Sequence, residues 1–271
     1  MKKTAIGSFA YRYAVGINGF MPPEPMNAFA FLRKAKQLSF QGVQFCENLH
    51  YAQFSEKDIA ALDALAKELG LFVEVGMNGA NEENLLYHLK LAKQLSSSFV
   101  RVVLGGKSCK NPRETYEAQK AFTKILSNVL PAFRDQGVTL GIENHFDLPT
   151  YALRDIVDEL DDDHVGLILD TTNCIHFLER PEEALQRCSG RIVSVHMKDY
   201  RTQKIEAGHL ITGTELGKGE LNIFPFLACC DRIVLEMTIR RSEEMTPEQA
   251  VGWEDRAVKA SSAKLMELCG L

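Results

Sequence analysis

The sequence predicts a single (β/α)8 barrel spanning residues 1–271. Short apolar runs recur eight times, helical patterns lie between most of them, and run after run ends in a residue fit for chemistry. A chain of 271 residues suits one large α/β domain, since a barrel of this kind typically needs about 250 residues.

The apolar runs are Ala5–Phe9, Val43–Cys46, Leu71–Val75, Phe99–Leu104, Val138–Ile142, Val165–Leu169, Ile192–Val195 and Ile233–Leu235. They do not alternate cleanly between apolar and polar. Continuous apolar runs are what a parallel strand covered on both faces shows.

Between them lie helical signals. Ser55 caps a segment Glu56–Leu69, and Gly70 stands where a left-handed cap belongs. Within it Ile59, Leu62, Leu65, Ala66 and Leu69 form one apolar stripe. Asn81 caps Glu82–Leu95. Pro112 opens a long helical pattern that Pro131 is expected to kink or split, and Pro181 and Pro247 suit the first turns of later helices. Lys198–Asp231 is the longest connection without a convincing long helix, and such a loop in a compact domain is often functional.

Strands alternating with helices fit a closed barrel or an open doubly wound sheet. No G-x-G-x-x-G follows the first run, which weakens a dinucleotide-binding open sheet. The run ends favour the barrel. Glu47-Asn48 follow the second run and Gly105-Gly106 the fourth. Glu143-Asn144-His145 follow the fifth, Asp170 the sixth, His196 the seventh and Glu236 the eighth. Barrel active sites are built from the C-terminal ends of the strands.

Composition narrows the function. The chain is 45% hydrophobic and 25% charged, with a net charge of −5. A negative chain repels a phosphate backbone, so no nucleic-acid partner is expected. The seven cysteines are odd in number and none are spaced C-x-x-C, which favours free thiols in a reducing compartment. Two lysines precede apolar residues at the start, but Arg12 interrupts any signal-like core. No apolar run approaches a membrane span. A cytoplasmic protein with no membrane partner is expected.

Glu143, Asp170, His196 and Glu236 carry the chemistry. The first two gaps between them, 27 and 26 positions, each fit one βα unit; the third, 40, fits a unit with an enlarged loop. Side chains from successive strand ends can converge, because neighbouring strands lie only about 4.8 Å apart. Three carboxylates and an imidazole form a hard, oxygen-rich site for one divalent ion: Mn²⁺ first, with Mg²⁺, Co²⁺ or Zn²⁺ as alternatives.

Around these four, Glu47, His145, Asn173, Lys198 and Arg201 are candidate substrate contacts, with a cation at Lys198 or Arg201 suited to a substrate anion. Each also has a plain structural reading as a loop or solvated residue. Tyr11 and Tyr13 either wall a substrate pocket or pack. Trp253 reads as structural and the Cys229-Cys230 pair as core.

The motifs Ile142-Glu143-Asn144-His145, Leu169-Asp170-Thr171-Thr172-Asn173, Val195-His196-Met197-Lys198-Asp199 and Leu235-Glu236 resemble the sugar phosphate isomerase/epimerase superfamily of xylose-isomerase-like barrels. Its members include ketose 3-epimerases, inosose dehydratases and 3-dehydroshikimate dehydratases. Gly217-Lys218-Gly219-Glu220-Leu221-Asn222 resembles the Gly-x-Gly loop found before the last strand there.

The resemblance implies that Glu143, Asp170, His196 and Glu236 bind the metal. It further implies that Glu143 and Glu236 serve as the acid/base pair on opposite faces of a substrate carbon, working through a metal-stabilised enediolate. The implied activity is a sugar epimerase or isomerase acting on a ketose or ketose phosphate in carbohydrate metabolism, with a homodimer or homotetramer as the default assembly. Two positions depart from many family epimerases: Asn173 stands where a histidine is common, and Thr202, preceded by Arg201, where an arginine is common.

A metal-dependent lyase, either dehydratase or decarboxylase, on a keto-sugar or keto-inositol is the alternative, since it uses the same enolate. A nuclease on the same barrel would need more metal ligands than these strand ends offer. A non-catalytic sugar-binding protein would not need paired glutamates around a metal.

Overall fold

The computed structural model describes residues 2–271. Eight parallel strands close into a barrel. They are β1 (Lys3–Gly7), β2 (Gly42–Phe45), β3 (Phe72–Asn78), β4 (Phe99–Val103), β5 (Thr139–Glu143), β6 (Val165–Asp170), β7 (Ile192–Met197) and β10 (Arg232–Leu235). The order around the barrel is β1-β10-β7-β6-β5-β4-β3-β2, so β1 closes the ring between β2 and β10. β2, β4 and β6 are buried along their whole length, which explains the unbroken apolar runs.

The helices are α1 (Arg12–Val15), α2 (Ala28–Gln37), α3 (Glu56–Leu69), α4 (Glu82–Gln94), α5 (Pro112–Asp135), α6 (Thr150–Leu160), α7 (Pro181–Cys188), α8 (Ile223–Cys229) and α9 (Pro247–Cys269). Their ends follow the sequence signals. The Ser55 and Asn81 side chains accept from the backbone N–H groups of Asp58 and Asn84, and Gly70 closes α3 at φ 67°.

Two expectations are corrected. The first strand ends at Gly7, and Ser8–Tyr11 form a 3-10 turn that leads the chain into α1. Of the kink or split expected at Pro131, the split is excluded: α5 runs as one helix to Asp135. Leu126 and Val129 before the proline, and Leu130 and Phe133 around it, are all buried. This continuous apolar face outweighs one lost backbone bond near the helix end.

The long connection after β7 is also resolved. It holds a two-stranded antiparallel hairpin, β8 (Asp199–Ile205) and β9 (Gly208–Thr214), followed by α8. Most hairpin residues are exposed. Asp199 anchors it. Its carboxylate accepts from the backbone N–H groups of Gly217 (2.9 Å), Gly219 (3.0 Å) and Leu221 (3.1 Å). A Cβ on Gly219 would sit 2.1 Å from Asp199 Oδ1, so the second glycine of the Gly-x-Gly segment is required by this close approach. No helix among the described residues is long and apolar enough to cross a membrane.

Candidate metal centre and active site

Glu143 ends β5, Asp170 ends β6, His196 lies in β7, and Glu236 follows β10 directly. One ligand atom from each of the four falls within 4.8 Å of the other three. All four are buried, with at most 2% exposure. Among the described residues they form the one group of at least three such side chains arranged to hold an ion.

Backbone-directed hydrogen bonds set the strand ends. Asn144 clasps the Asp170 peptide from both sides: its Oδ1 accepts from Asp170 N (2.6 Å) and its Nδ2 donates to Asp170 O (3.1 Å). Asp170 Oδ1 accepts from the N–H groups of Thr172 and Asn173, both at 2.9 Å, so that oxygen is fixed in the turn. The Thr171 hydroxyl donates to Lys198 O (2.7 Å) and accepts from Lys198 N (2.9 Å), which ties the end of β6 to the end of β7.

Two cations are buried among the carboxylates. Lys198 Nζ lies 2.6 Å from Asp170 Oδ2 and 2.9 Å from Glu236 Oε2. Arg101, in the middle of β4, donates from Nε to Glu143 Oε2. Its Nη1 is 3.4 Å from both Glu47 Oε2 and Met77 O. His196 Nδ1 lies 3.2 Å from Glu143 Oε2 and 3.6 Å from Glu236 Oε1, between the two glutamates.

These contacts fix the charges. Burial pushes the Glu143 carboxyl up, but Arg101 and His196 outweigh it and hold it well below the usual carboxylate range. Glu236 is likewise pushed up by burial and brought below its ordinary value by Lys198 and His196. Burial pushes His196 and Lys198 down, yet the surrounding carboxylates raise both.

The residues fit a metal ion. His196 Nε2 and Glu236 Oε1 are fully buried and have no hydrogen-bond partner. Unpartnered polar atoms at such depth are costly unless something ligates them. Three carboxylates and one imidazole are ligands for a hard or borderline divalent ion.

The other candidates are placed as follows. Asn173 joins the cluster, with Nδ2 3.2 Å from Glu143 Oε1 and from Asn144 O. Lys198 is part of the ion cluster itself. Glu47 sits at the rim, its side chain 39% exposed. His145 is outside the cluster, its ring 4.2 Å from that of Phe146. Arg201 is on the exposed hairpin, donating from Nε to Lys218 O (2.9 Å). Tyr11 is buried and donates to Asp255 Oδ1 (3.0 Å). The Tyr13 hydroxyl accepts from Arg241 N (3.1 Å), and Trp253 packs against its ring at 6.4 Å. Cys230 is half-buried and Cys229 exposed, so the pair is not fully in the core.

Two cavities include partners of the cluster in their walls, though none of the four cluster residues lines either. One, of about 820 Å³, is lined by Arg12, Phe20, Glu47, Asn48 and His50 among others. The second, of about 650 Å³, is lined by Arg12, Tyr13, Phe146, Asn173, Tyr200 and Thr238 among others. Each includes a side chain that reaches the cluster: Glu47 through Arg101, and Asn173 directly at Glu143.

Sequence reasoning missed Arg101 and Gly7. Arg101 carried a signal, since a lone charge inside the apolar run Phe99–Leu104 must find a partner. Gly7 carried none. A Cβ there would lie 2.8 Å from both Cγ and Oε1 of Glu236.

A parallel eight-stranded barrel with a buried carboxylate–imidazole cluster at the C-terminal ends of its strands has the architecture of a barrel enzyme whose site could hold a divalent ion. The chain belongs to the xylose isomerase-like TIM barrel family, which it matches over residues 32–236. It is 27% identical over 233 residues to the 3-oxo-isoapionate decarboxylase of Pectobacterium atrosepticum, covering 85% of this chain and 79% of that protein. The fold is shared with a D-psicose 3-epimerase crystallised in the presence of D-fructose (TM-score 0.70, 12% identity, 98% and 97% of the two chains). It is also shared with a xylose isomerase-like barrel protein from Mycobacterium smegmatis in complex with magnesium (TM-score 0.66, 15% identity, 97% of each chain).

Proposed function

We propose that this protein is a divalent-metal-dependent lyase that removes CO2 from a small 3-oxo sugar acid. The observation that carries this reading is the similarity to a decarboxylase over 85% of this chain. Three buried carboxylates face two buried cations, Arg101 and Lys198. Glu47, paired with Arg101 at the rim, adds a fourth carboxylate, so a divalent ion ligated by a neutral His196 brings the group to neutrality. The decarboxylase relative supports the same substrate class.

A divalent ion held by Glu143, Asp170, His196 and Glu236 would supply Lewis acidity to a substrate carbonyl. Mn²⁺, Mg²⁺, Co²⁺ and Zn²⁺ all suit the donor set, and we place Mn²⁺ first. The protein's own groups do the rest. The bond from the α-carbon to the carboxylate breaks and its electron pair passes toward the carbonyl as CO2 leaves. The α-carbon then takes one proton delivered from solvent water.

A second reading is epimerisation of a ketose or ketose phosphate, with Glu143 and Glu236 as the acid/base pair. The observation favouring it is that both glutamates converge on His196 Nδ1, 3.2 and 3.6 Å away, from strand ends β5 and β10 that are not neighbours.

One screen separates the two. The Mn²⁺-loaded protein is incubated in D2O with 3-oxo sugar acids, ketoses, ketose phosphates and keto-inositols, followed by NMR and CO2 detection. CO2 release with one deuterium in the product supports the lyase. Deuterium uptake into a ketose without CO2 moves the assignment to the epimerase. Neither result with any compound would sink both readings.

A further inference from the structure

We propose that Arg12 is the residue that recognises the carboxylate of the substrate, on the reading that the substrate is a 3-oxo sugar acid.

The charge of the cluster creates the need. With a divalent ion bound, the carboxylates of Glu143, Asp170, Glu236 and Glu47 balance the ion, Arg101 and Lys198. Both buried cations already have carboxylate partners. An anionic substrate finds no surplus positive charge there, so a further cation has to answer it.

Arg12 is placed to do so. It opens α1, which follows β1 by way of the Ser8–Tyr11 turn, on the face of the barrel that carries the strand C-termini. It is the one residue that lines both cavities, so it stands where they meet. Each wall also holds a polar side chain tied to Glu143: Glu47 through Arg101 in the first, Asn173 directly in the second. Arg12 is half-buried. Its carbonyl accepts from Gly16 N (3.0 Å), but its guanidinium has no hydrogen-bond or ion-pair partner among the described residues.

The other arginines around the site have partners. Arg201 donates to Lys218 O. Arg241 donates to Ser242 O and lies over the ring of Phe20, 5.0 Å from its centre. Arg240, which also lines the second cavity, is 78% exposed and 3.7 Å from Glu243 Oε1.

The backbone under Arg12 is anchored while its head is unpaired. Its neighbours Tyr11 and Tyr13 are buried, and their hydroxyls are bonded to Asp255 Oδ1 and Arg241 N. Glu254 accepts from Tyr13 N on one oxygen and from Ala14 N on the other, so this carboxylate holds the turn and not the guanidinium. An anchored cation loses little backbone freedom when it binds an anion. A guanidinium fork also matches a carboxylate with two parallel N–H bonds.

Titration calorimetry on the Mn²⁺-loaded full chain tests this with D-xylonate, a five-carbon sugar acid, and xylitol, its neutral alcohol. Neither carries an oxo group, so neither can lose CO2 by the proposed route. The wild type should prefer xylonate. Arg12→Gln should weaken xylonate binding by about tenfold or more and change xylitol binding by less than about twofold, because only the acid loses a charged hydrogen-bond partner. Arg12→Lys keeps the charge without the fork and should recover part of the loss. It carries the comparison where Arg12→Gln does not fold, again with a loss confined to xylonate. Arg240→Gln should bind xylonate as the wild type does.

Unchanged xylonate binding in Arg12→Gln, equal weakening of both ligands, or no preference for xylonate in the wild type would overturn the assignment. An equal loss from Arg240→Gln would overturn it too. Failure of the decarboxylase reading has a different signature. The wild type would still prefer xylonate through Arg12 but would release no CO2 from any 3-oxo sugar acid, which leaves the acid-binding role of Arg12 standing.

Discussion

The barrel contains two buried ionic clusters, one at each end, and they differ in one respect. At the N-terminal end Arg232, the first residue of β10, reaches Glu74 on β3 across the barrel. Gln44 Nε2 donates to the other Glu74 oxygen (2.8 Å). The Arg232 guanidinium lies over the ring of Phe99, 4.4 Å from its centre. Each Glu74 oxygen has a donor, and nothing is left over.

At the C-terminal end the ingredients are similar, but the pairing is incomplete. Glu236 Oε1 and both nitrogens of His196 have no hydrogen-bond partner. A closed ionic cluster plugs a barrel, whereas an open one awaits a ligand. The bottom cluster therefore reads as structure and the top cluster as function.

The largest expected effect separates the two ends. Asp170→Ala removes a ligand from the open cluster and should lower turnover by about 10³-fold, because the Lewis acid contributes several kcal/mol to charge stabilisation. Its metal content should fall while its circular dichroism stays that of the wild type, since strand-end ligands lie outside the packed layers. Unchanged metal content would break the comparison at the top.

Glu74→Leu is the counterpart at the bottom. It strands Arg232, whose side chain is 21% exposed, and should lower stability by about 3 kcal/mol in urea melts. Mn²⁺ affinity should not change. Adding Arg232→Met should restore part of the loss.

Lys198→Met joins the two themes. Asp170 and Glu236 lose their cation, so the metal-free protein should lose about 2 kcal/mol. Metal should restore much of that, so the rise in Tm on adding Mn²⁺ should exceed the wild-type rise. Equal rises would mean that Lys198 does not balance the same carboxylates as the ion.

Glu254, on α9, belongs to neither cluster. Its carboxylate accepts from the backbone N–H groups of Tyr13 and Ala14, each at 2.8 Å. Burial outweighs these bonds and pushes its pKa up to about 7. The folded value lies above the unfolded one, so its stabilising contribution is present at low pH and lost as pH rises through about 7. The stability of wild type relative to Glu254→Gln should therefore fall by about 2 kcal/mol between about pH 5 and pH 8. A flat difference would show that backbone donors alone satisfy this carboxylate.

The smallest effect is expected at Arg201, which the sequence offered as a substrate contact. It lies on the exposed hairpin, bonded to a loop carbonyl. Arg201→Ala should change kcat/KM and stability by no more than about 0.5 kcal/mol. A large rise in KM would bring the hairpin into the site.

Much of this arrangement was legible in the sequence, for a physical reason. Strands covered on both faces are largely apolar, so a polar residue at a run's end, such as Asp170 after Val165–Leu169, stands out. The hairpin did not stand out. Its strands are exposed on both faces, so Tyr200–Ile205 carries no burial pattern to read. The bottom plug joins Glu74 to Arg232 across 158 positions, and nothing local in the sequence relates them. Gly7 was hidden because its role is an absence of volume beside Glu236, visible only once β1 and β10 are neighbours.

The central claim is that the open cluster completes itself with a metal ion, and its most direct test is stoichiometry. Equilibrium dialysis of the wild-type protein against Mn²⁺, followed by elemental analysis, should give one ion per chain and a raised Tm. The same dialysis of Glu74→Leu should also give one ion per chain, and that of Asp170→Ala should give a fraction of one. No bound ion in the wild type, or three per chain, would contradict the account.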